Sequence, residues 1–357
     1  MLRGCSGLVC YRGVGLFARV LSLLLGVTLC AGAAFFPSTL EAAPPPPPLV
    51  AVILPRDNAR FQIIHAAFMR KFDNVTTVVG KPRLYVQSPN PDVLSLRNSM
   101  RKATALGADL VLVYGTQAAM AAKQEDFTEP LIFVDVFEPV AMGLVPSMTR
   151  GGDLITGVCG HAPIQTLLKV LQETIGTSHL GVLVEPKNPA GKTQVEVLRK
   201  AACKRGSPTD EGSKLSKSGD LCWLEVVPTN TQSPDGIAQS LKSIKGKIDV
   251  IFLSDLLPTD LHAAAVLDYA AQTGLPVISQ LPGMAEKGAL VTLESDPEEQ
   301  GDLLALIAGK MIDGDLPEDV PPLMPRKVSL IINLNVAKQL GVQVPFSVLT
   351  QATKVIR

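Results

Sequence analysis

The sequence predicts an α/β protein built as two doubly wound parallel sheets. Three observations lead there. From Leu49 to the C-terminus, short β-rich apolar runs alternate with amphipathic helical stretches, the mark of parallel strands joined by right-handed crossovers. The alternation restarts after Gly157, so two half-chains share one rhythm. Runs such as Leu110 to Tyr114 and Leu131 to Val134 are apolar without a polar alternation, as strands covered on both faces must be.

Taken in order, Val50 to Leu54 reads as a strand. Phe61 to Phe72 reads as a helix with Phe61, Ile64, Phe68 and Phe72 on one face, and Leu84 to Val86 as a second strand. Pro91 to Leu106 is helical, with Pro91 and Asp92 in the first turn and Gly107 at its end. The two buried strands follow. Beyond Gly157, helices are expected at Ile164 to Ile175, Lys192 to Cys203, Ile237 to Ile244 and Leu261 to Gln272. They alternate with strands at Leu180 to Val184, Cys222 to Val227, Val250 to Leu253 and Val277 to Ser279. Gly288 to Leu293 reads as a strand and Pro297 to Ile312 as a helix closed by Gly314. Pro317, Pro321, Pro322 and Pro325 then hold an extended stretch that suits an interdomain crossing. Val328 to Ile332 is the last strand expected and Asn335 to Leu340 a short helix.

Composition bounds what such a chain can do. With 357 residues, 46% hydrophobic and 18% charged, it can bury a core large enough for two domains. Its 33 basic and 33 acidic residues cancel and form no long basic run, which argues against a nucleic-acid partner. The histidines His65, His161, His179 and His262 are isolated, without the short spacing of a zinc site. Neither a G-x-S-x-G elbow nor a phosphate-binding loop of the G-x-x-x-x-G-K type occurs. Neither catalysis nor a cofactor is called for.

The N-terminus reads as a targeting segment. Arg3, Arg12 and Arg19 precede the apolar run Val20 to Leu29, and Ala31-Gly32-Ala33 supplies a small-x-small cleavage pattern, so residues 1–33 are expected to be a secretory signal. A membrane span would need a longer apolar run. Cys30, straight after that run, offers a lipid-anchor alternative, although Leu29 stands where a small residue is wanted. Residues 34–48 form a spacer stiffened by Pro44 to Pro48. Of six cysteines, Cys159, Cys203 and Cys222 lie beyond the signal. The last two bracket a polar excursion, and an exported protein permits a Cys203–Cys222 disulfide there, which chain entropy makes worth about 3 kcal/mol.

The stretch Asp109 to Gly157 carries the layout of a ligand crevice. Ligands bind beyond the carboxyl ends of parallel strands. At that edge Gly115 allows close backbone approach, Thr116 can cap a helix, and the free N–H groups of the next turn favour an anion or carbonyl oxygen. The neighbouring strand leads to Asp135, Phe137, Glu138 and Pro139, a polar and aromatic rim on the same crevice.

These motifs, in order, resemble a known family. Gly115-Thr116-Gln117-Ala118-Ala119, then Ile132 to Val140, then Gly143-Leu144-Val145, Gly151-Gly152 and Thr156-Gly157-Val158 look like the substrate-binding proteins of ABC transporters that include tryptophan and tyrosine binders. Ile332-Asn333-Leu334, Leu340-Gly341-Val342 and Val344-Pro345 resemble that family's C-terminal signature. Phe137-Glu138-Pro139 stands where the family usually has Thr-Asp-Pro. The resemblance implies a type I periplasmic-binding fold, two lobes joined by three hinge crossings and closing on a small solute. It implies a first lobe of residues 49–157 plus 282–316 and a second of 158–281 plus 326–357. Hinges are then expected near Val158, Gln280 and 317–325. Carried onto this chain, the cleft residues are Asn58, Phe61, Gly115, Thr116, Gln117, Asp135, Phe137, Glu138, His161, Asn188, Ser254, Asp255 and Gln280.

The role implied is a monomeric periplasmic protein that hands an amino acid or related solute to an ABC permease in the inner membrane. The alternatives are a sensor subunit reporting to a membrane receptor kinase and an exported enzyme that reuses the fold.

Overall fold

The computed structural model describes residues 46–74, 81–125, 127–160, 162–176, 179–184, 189–202, 223–228, 234–253 and 260–357. The expected signal (1–33) and nearly all of the spacer that follows it lie outside these residues, as do Cys203 and Cys222 with the disulfide expected between them.

The first sheet takes its strands from the N-terminal half: β1 (Leu49–Ile53), β2 (Arg83–Gln87), β3 (Leu110–Tyr114), β4 (Leu131–Val136) and β5 (Ile155–Cys159), with α1 (Ala59–Phe72), α2 (Val93–Ala105) and α3 (Thr116–Gln124) between them. Their order across the sheet is β2-β1-β3-β4-β5, all parallel. β3 and β4 are buried along their whole length, as the apolar runs Leu110 to Tyr114 and Leu131 to Val134 require; Asp135 is the charged exception in β4. One face of the sheet packs against α2 and α3 through Leu96, Met100, Ala118 and Ala122, the other against α1 through Ile64, Phe68 and Phe72.

The second sheet is built from β6 (His179–Val184), β7 (Trp223–Pro228), β8 (Val250–Leu253), β9 (Val277–Ser279), β10 (Val291–Ser295), β11 (Val328–Asn333) and β12 (Lys354–Ile356). Its order is β12-β11-β10-β9-β8-β6-β7, with β11 antiparallel to β10 and the other neighbours parallel. Its helices are α4 (Ile164–Ile175), α5 (Pro189–Ala202), α6 (Pro234–Ser243), α7 (Asp260–Thr273), α8 (Met284–Lys287), α10 (Leu334–Leu340) and α11 (Phe346–Leu349). One helix is out of place in this count. α9 (Pro297–Ile312) leaves β10 and packs across α1 in the first lobe, where Leu304, Ala305, Ile307 and Ala308 join the core around Ile64 and Phe68.

The two-lobed α/β architecture is the one expected, but its boundaries differ from those expected. β5, not singled out by periodicity, keeps the chain in the first sheet through Cys159, paired to Val136. The first crossing therefore comes after Cys159, not at Val158. Gln280 is no crossing: β9, α8 and β10 follow one another within the second lobe, and β10 pairs with both β9 and β11. Of the expected 282–316 segment only the part from α9 onward, 297–316, belongs to the first lobe. The second crossing is at Asp296. Nor does 317–325 itself cross. It lies along β5, with Cys159 N donating to Leu323 O at 2.8 Å and Leu323 N to Gly157 O at 2.9 Å. The chain changes lobes only after it, near Arg326 and Lys327. β10 also starts three residues later than expected, because α8 occupies Met284–Lys287 and Gly288, at φ 120°, ends it.

Candidate functional site

The carboxyl edge of the first sheet is where strain collects. The non-glycine residues at positive φ among those described are Asp57 (59°), Asp135 (59°) and Glu138 (42°), Asp57 beyond the end of β1, Asp135 at the register irregularity near the end of β4, and Glu138 just past that strand. Each such conformation costs about 1–3 kcal/mol and persists only where its surroundings enforce it.

Most of the first-lobe residues expected at the cleft meet at this edge. Asn58 caps α1, its Oδ1 accepting from Phe61 N at 3.1 Å. Phe61 is half-buried, edge-on to Tyr114 with ring centroids 6.1 Å apart, and lies over Gly115. At φ 87°, a Cβ on Gly115 would stand 2.5 Å from the Phe61 ring, so this position needs glycine both for its backbone and for the aromatic above it. Gly115 gives α3 no side-chain cap, leaving the amides of its first turn for solvent or a bound group. Gln117 beside it is half-buried. Thr116 is buried and its Oγ1 accepts from Phe137 N at 3.0 Å, so its hydroxyl ties α3 to the end of β4. Phe137 is buried in the core beneath, whereas Glu138 is exposed.

Asp135 is differently placed from the solute-facing carboxylate expected. Both its oxygens are held by Arg60, Nε donating to Oδ2 at 2.9 Å and Nη2 lying 2.8 Å from Oδ1. Arg60 is itself buried and also reaches Gly160 O at 2.8 Å, Ser295 Oγ at 2.9 Å and Gln300 Oε1 at 2.9 Å. Sequence reasoning missed Arg60. Its signal was nonetheless there, since Arg60, Ile64 and Phe68 recur at helical spacing and put a charge on the buried face of α1.

In the second lobe Gln280 is buried, its Nε2 donating to Ala162 O at 2.5 Å while Oε1 has no partner among the described residues. Glu294, near the end of β10, accepts from Thr292 Oγ1 at 2.7 Å and Gly283 N at 3.1 Å. Burial pushes its carboxyl above the usual range. The expected cleft residues His161, Asn188, Ser254 and Asp255 lie outside the described residues.

Across the lobes, Val197 of α5 packs against the cores of both, and α5 touches α3. The chain thus has two α/β lobes, three neighbouring crossings and a strained strand edge between them. That is the class of two-lobed, type I solute-binding proteins.

Comparison with known proteins narrows the class. The family described as ABC transporter substrate binding protein matches residues 81–356, and the chain belongs to that family. Its members bind small solutes, work with ABC permeases and are typically extracytoplasmic. A curated relative, the tyrosine-binding protein of Clostridioides difficile (strain R20291), is 25% identical over 262 residues, 72% of this chain and 70% of the relative. Among solved structures, an ABC domain in complex with L-Trp from Streptococcus pneumonia superposes with a TM-score of 0.73 at 20% identity, covering 87% of this chain and all (100%) of that one. A solute-binding protein from Clostridium phytofermentans with bound L-rhamnose superposes with a TM-score of 0.53 at 10% identity, over 83% of this chain and 98% of that one. Among the described residues, no helix is long and apolar enough to cross a membrane.

Proposed function

We propose that this protein is the extracytoplasmic solute-binding component of an ABC-type importer and closes its lobes on an amino acid or related small solute without altering it. The observation that carries the reading is the strained edge. Asp57, Asp135 and Glu138 hold left-handed backbone beside the uncapped start of α3, at the mouth of the crossings. A protein tolerates such strain where it shapes a binding surface. The first-turn amides of α3 favour a carboxylate or carbonyl oxygen, Phe61 offers an aromatic face, and Glu138 is an exposed carboxylate placed to meet a positive group. The curated tyrosine-binding relative and the tryptophan complex favour an amino acid over a sugar. The exported state rests on the arginine-flanked apolar segment at the N-terminus, with cleavage after Ala33 favoured over lipidation at Cys30.

The test is a thermal-shift screen of amino acids, purines, sugars and small carboxylates, paired with native mass spectrometry of gently purified protein. An amino acid should raise the melting temperature, since a ligand at 100 times its Kd adds about 2.7 kcal/mol to stability. No shift with any amino acid and no copurified small molecule would overturn the reading, and conversion of a bound solute would replace it with an enzyme.

A further inference from the structure

We propose that Arg60 is the positioning residue of lobe closure, its buried guanidinium pinning the first lobe to the segments on which the second lobe turns. Arg60 stands on α1 and its partner Asp135 at the end of β4, both in the first lobe. The other partners are the crossings themselves. Gly160, whose carbonyl receives Arg60 Nη2 at 2.8 Å, is the first residue of the first crossing. Ser295, whose hydroxyl lies 2.9 Å from the same nitrogen, is the last residue of β10 before the second crossing, and it also donates to Gly160 O.

Gln300, in the first turn of α9, closes the ring. Its Oε1 accepts from Arg60, and its Nε2 donates to Cys159 O at 2.8 Å and Gly160 O at 3.2 Å. Its neighbour Glu299 holds the third crossing, accepting from Arg326 N at 2.9 Å and Lys327 N at 2.7 Å. Two adjacent residues of α9 therefore grip the first and third crossings, while Arg60 joins the first and second.

Two physical features make this more than a fold-stabilising ion pair. A hydrogen bond fails once its heavy atoms part beyond about 3.5 Å, so any rotation that carries Ser295 away from Gly160 must break or exchange bonds at Arg60. Such a cluster has discrete arrangements and not a continuum, as a bistable hinge requires. Arg60 Nη1 is also buried, without a partner among the described residues. A rearrangement that uses this spare donor offsets bonds lost elsewhere, which gives the guanidinium a second arrangement to turn to. The consequence for solute affinity rests on the proposed function; the pinning itself does not.

Hydrogen exchange of the unliganded protein, read by mass spectrometry, tests the pin without any solute and so judges it separately from the binding reading. Arg60→Met alone strands the buried Asp135 carboxylate, so the informative variant pairs Arg60→Met with Asp135→Leu, which removes the charge and the pin together. With its denaturation midpoint near that of the parent, this double variant should exchange at least tenfold faster in peptides covering 157–160, 295–300 and 323–327. Peptides from β1 and β3 should change less than twofold. Arg60→Lys, which keeps the charge but not the fork, should fall between. Parental exchange at the crossings in a folded double variant would overturn the proposal. So would a uniform acceleration across all peptides, since that is what loss of an ordinary stabilising contact produces.

Discussion

At the residue scale, the chemistry of this protein is governed by which polar groups are sealed and which are spent. Cys159 is buried at the end of β5, and desolvation, with the Glu138 charge adding to it, pushes its thiol up to about 12. A thiolate is therefore scarce at neutral pH. In a Cys203→Ser, Cys222→Ser background, Cys159 should resist a disulfide reagent in the native protein at pH 8 and react at once in denaturant. Rapid native labelling would mean that the β5 edge opens freely. His65 illustrates the opposite titration. It is half-buried, its Nδ1 lies 3.0 Å from Tyr114 Oη, and burial lowers its pKa below 6.5. The folded state thus binds fewer protons than the unfolded chain, so the contribution of this site is present above pH 6.5 and is lost as pH falls through the folded value. Chemical denaturation from pH 7 to pH 5 should show stability falling more steeply for the parent than for His65→Phe. Equal slopes would remove His65 from the account.

At the scale of elements, most of the fold was legible because α/β units announce themselves by period. β1, β3, β4, β6, β8 and β9 are apolar runs bounded by turn residues, and Asp92 marks the start of α2, where it accepts from Ser95 N at 2.9 Å. What escaped was whatever depends on partners distant in sequence. β5 reads ITGVC, too rich in small and polar residues to stand out, and becomes a strand because β4 and Leu323 flank it. β10 and α9 are neighbours in sequence but belong to different lobes. Asp135 was legible as a carboxylate at a strand end, but not as the partner of Arg60, 75 residues away. α5 offers a further contact of this kind. Val197, half-buried between the two lobes, touches both cores away from the crossings among the described residues. Val197→Asp sets a carboxylate against apolar surface, which costs little where solvent can reach it and much where the lobes meet. The variant should melt within a few degrees of the parent yet show a larger radius of gyration in small-angle scattering. Solute affinity should fall about tenfold, equivalent to about 1.4 kcal/mol. An unchanged radius of gyration would mean that the crossings alone hold the lobes together.

For the whole molecule, the decisive fact is that neither lobe is a continuous piece of chain. The first lobe borrows α9 from between two adjacent strands of the second, and the loan is large. Leu304, Ala305, Ile307 and Ala308 complete a core with Val52, Ile64, Phe68, Leu112 and Val134. Burying Leu304 and Ile307 alone is worth about 1.5–3 kcal/mol each, a substantial share of the roughly 5–15 kcal/mol by which a domain is stable. The alanines and the close approach of α9 to α1 add to it. Because the same helix carries Glu299 and Gln300 to the crossings, folding of the first lobe and assembly of the hinge are one event. Residues 46–159 expressed alone contain every strand of the first sheet and all three helices between them, but should lack a cooperative thermal transition by circular dichroism. The surface of α1, β4 and β5 that α9 covers in the full protein should bind an apolar dye. The full protein should show a cooperative transition and no such dye binding. A cooperative melt of the 46–159 piece would show instead that the first lobe is autonomous, with α9 packed onto a finished domain as a strap.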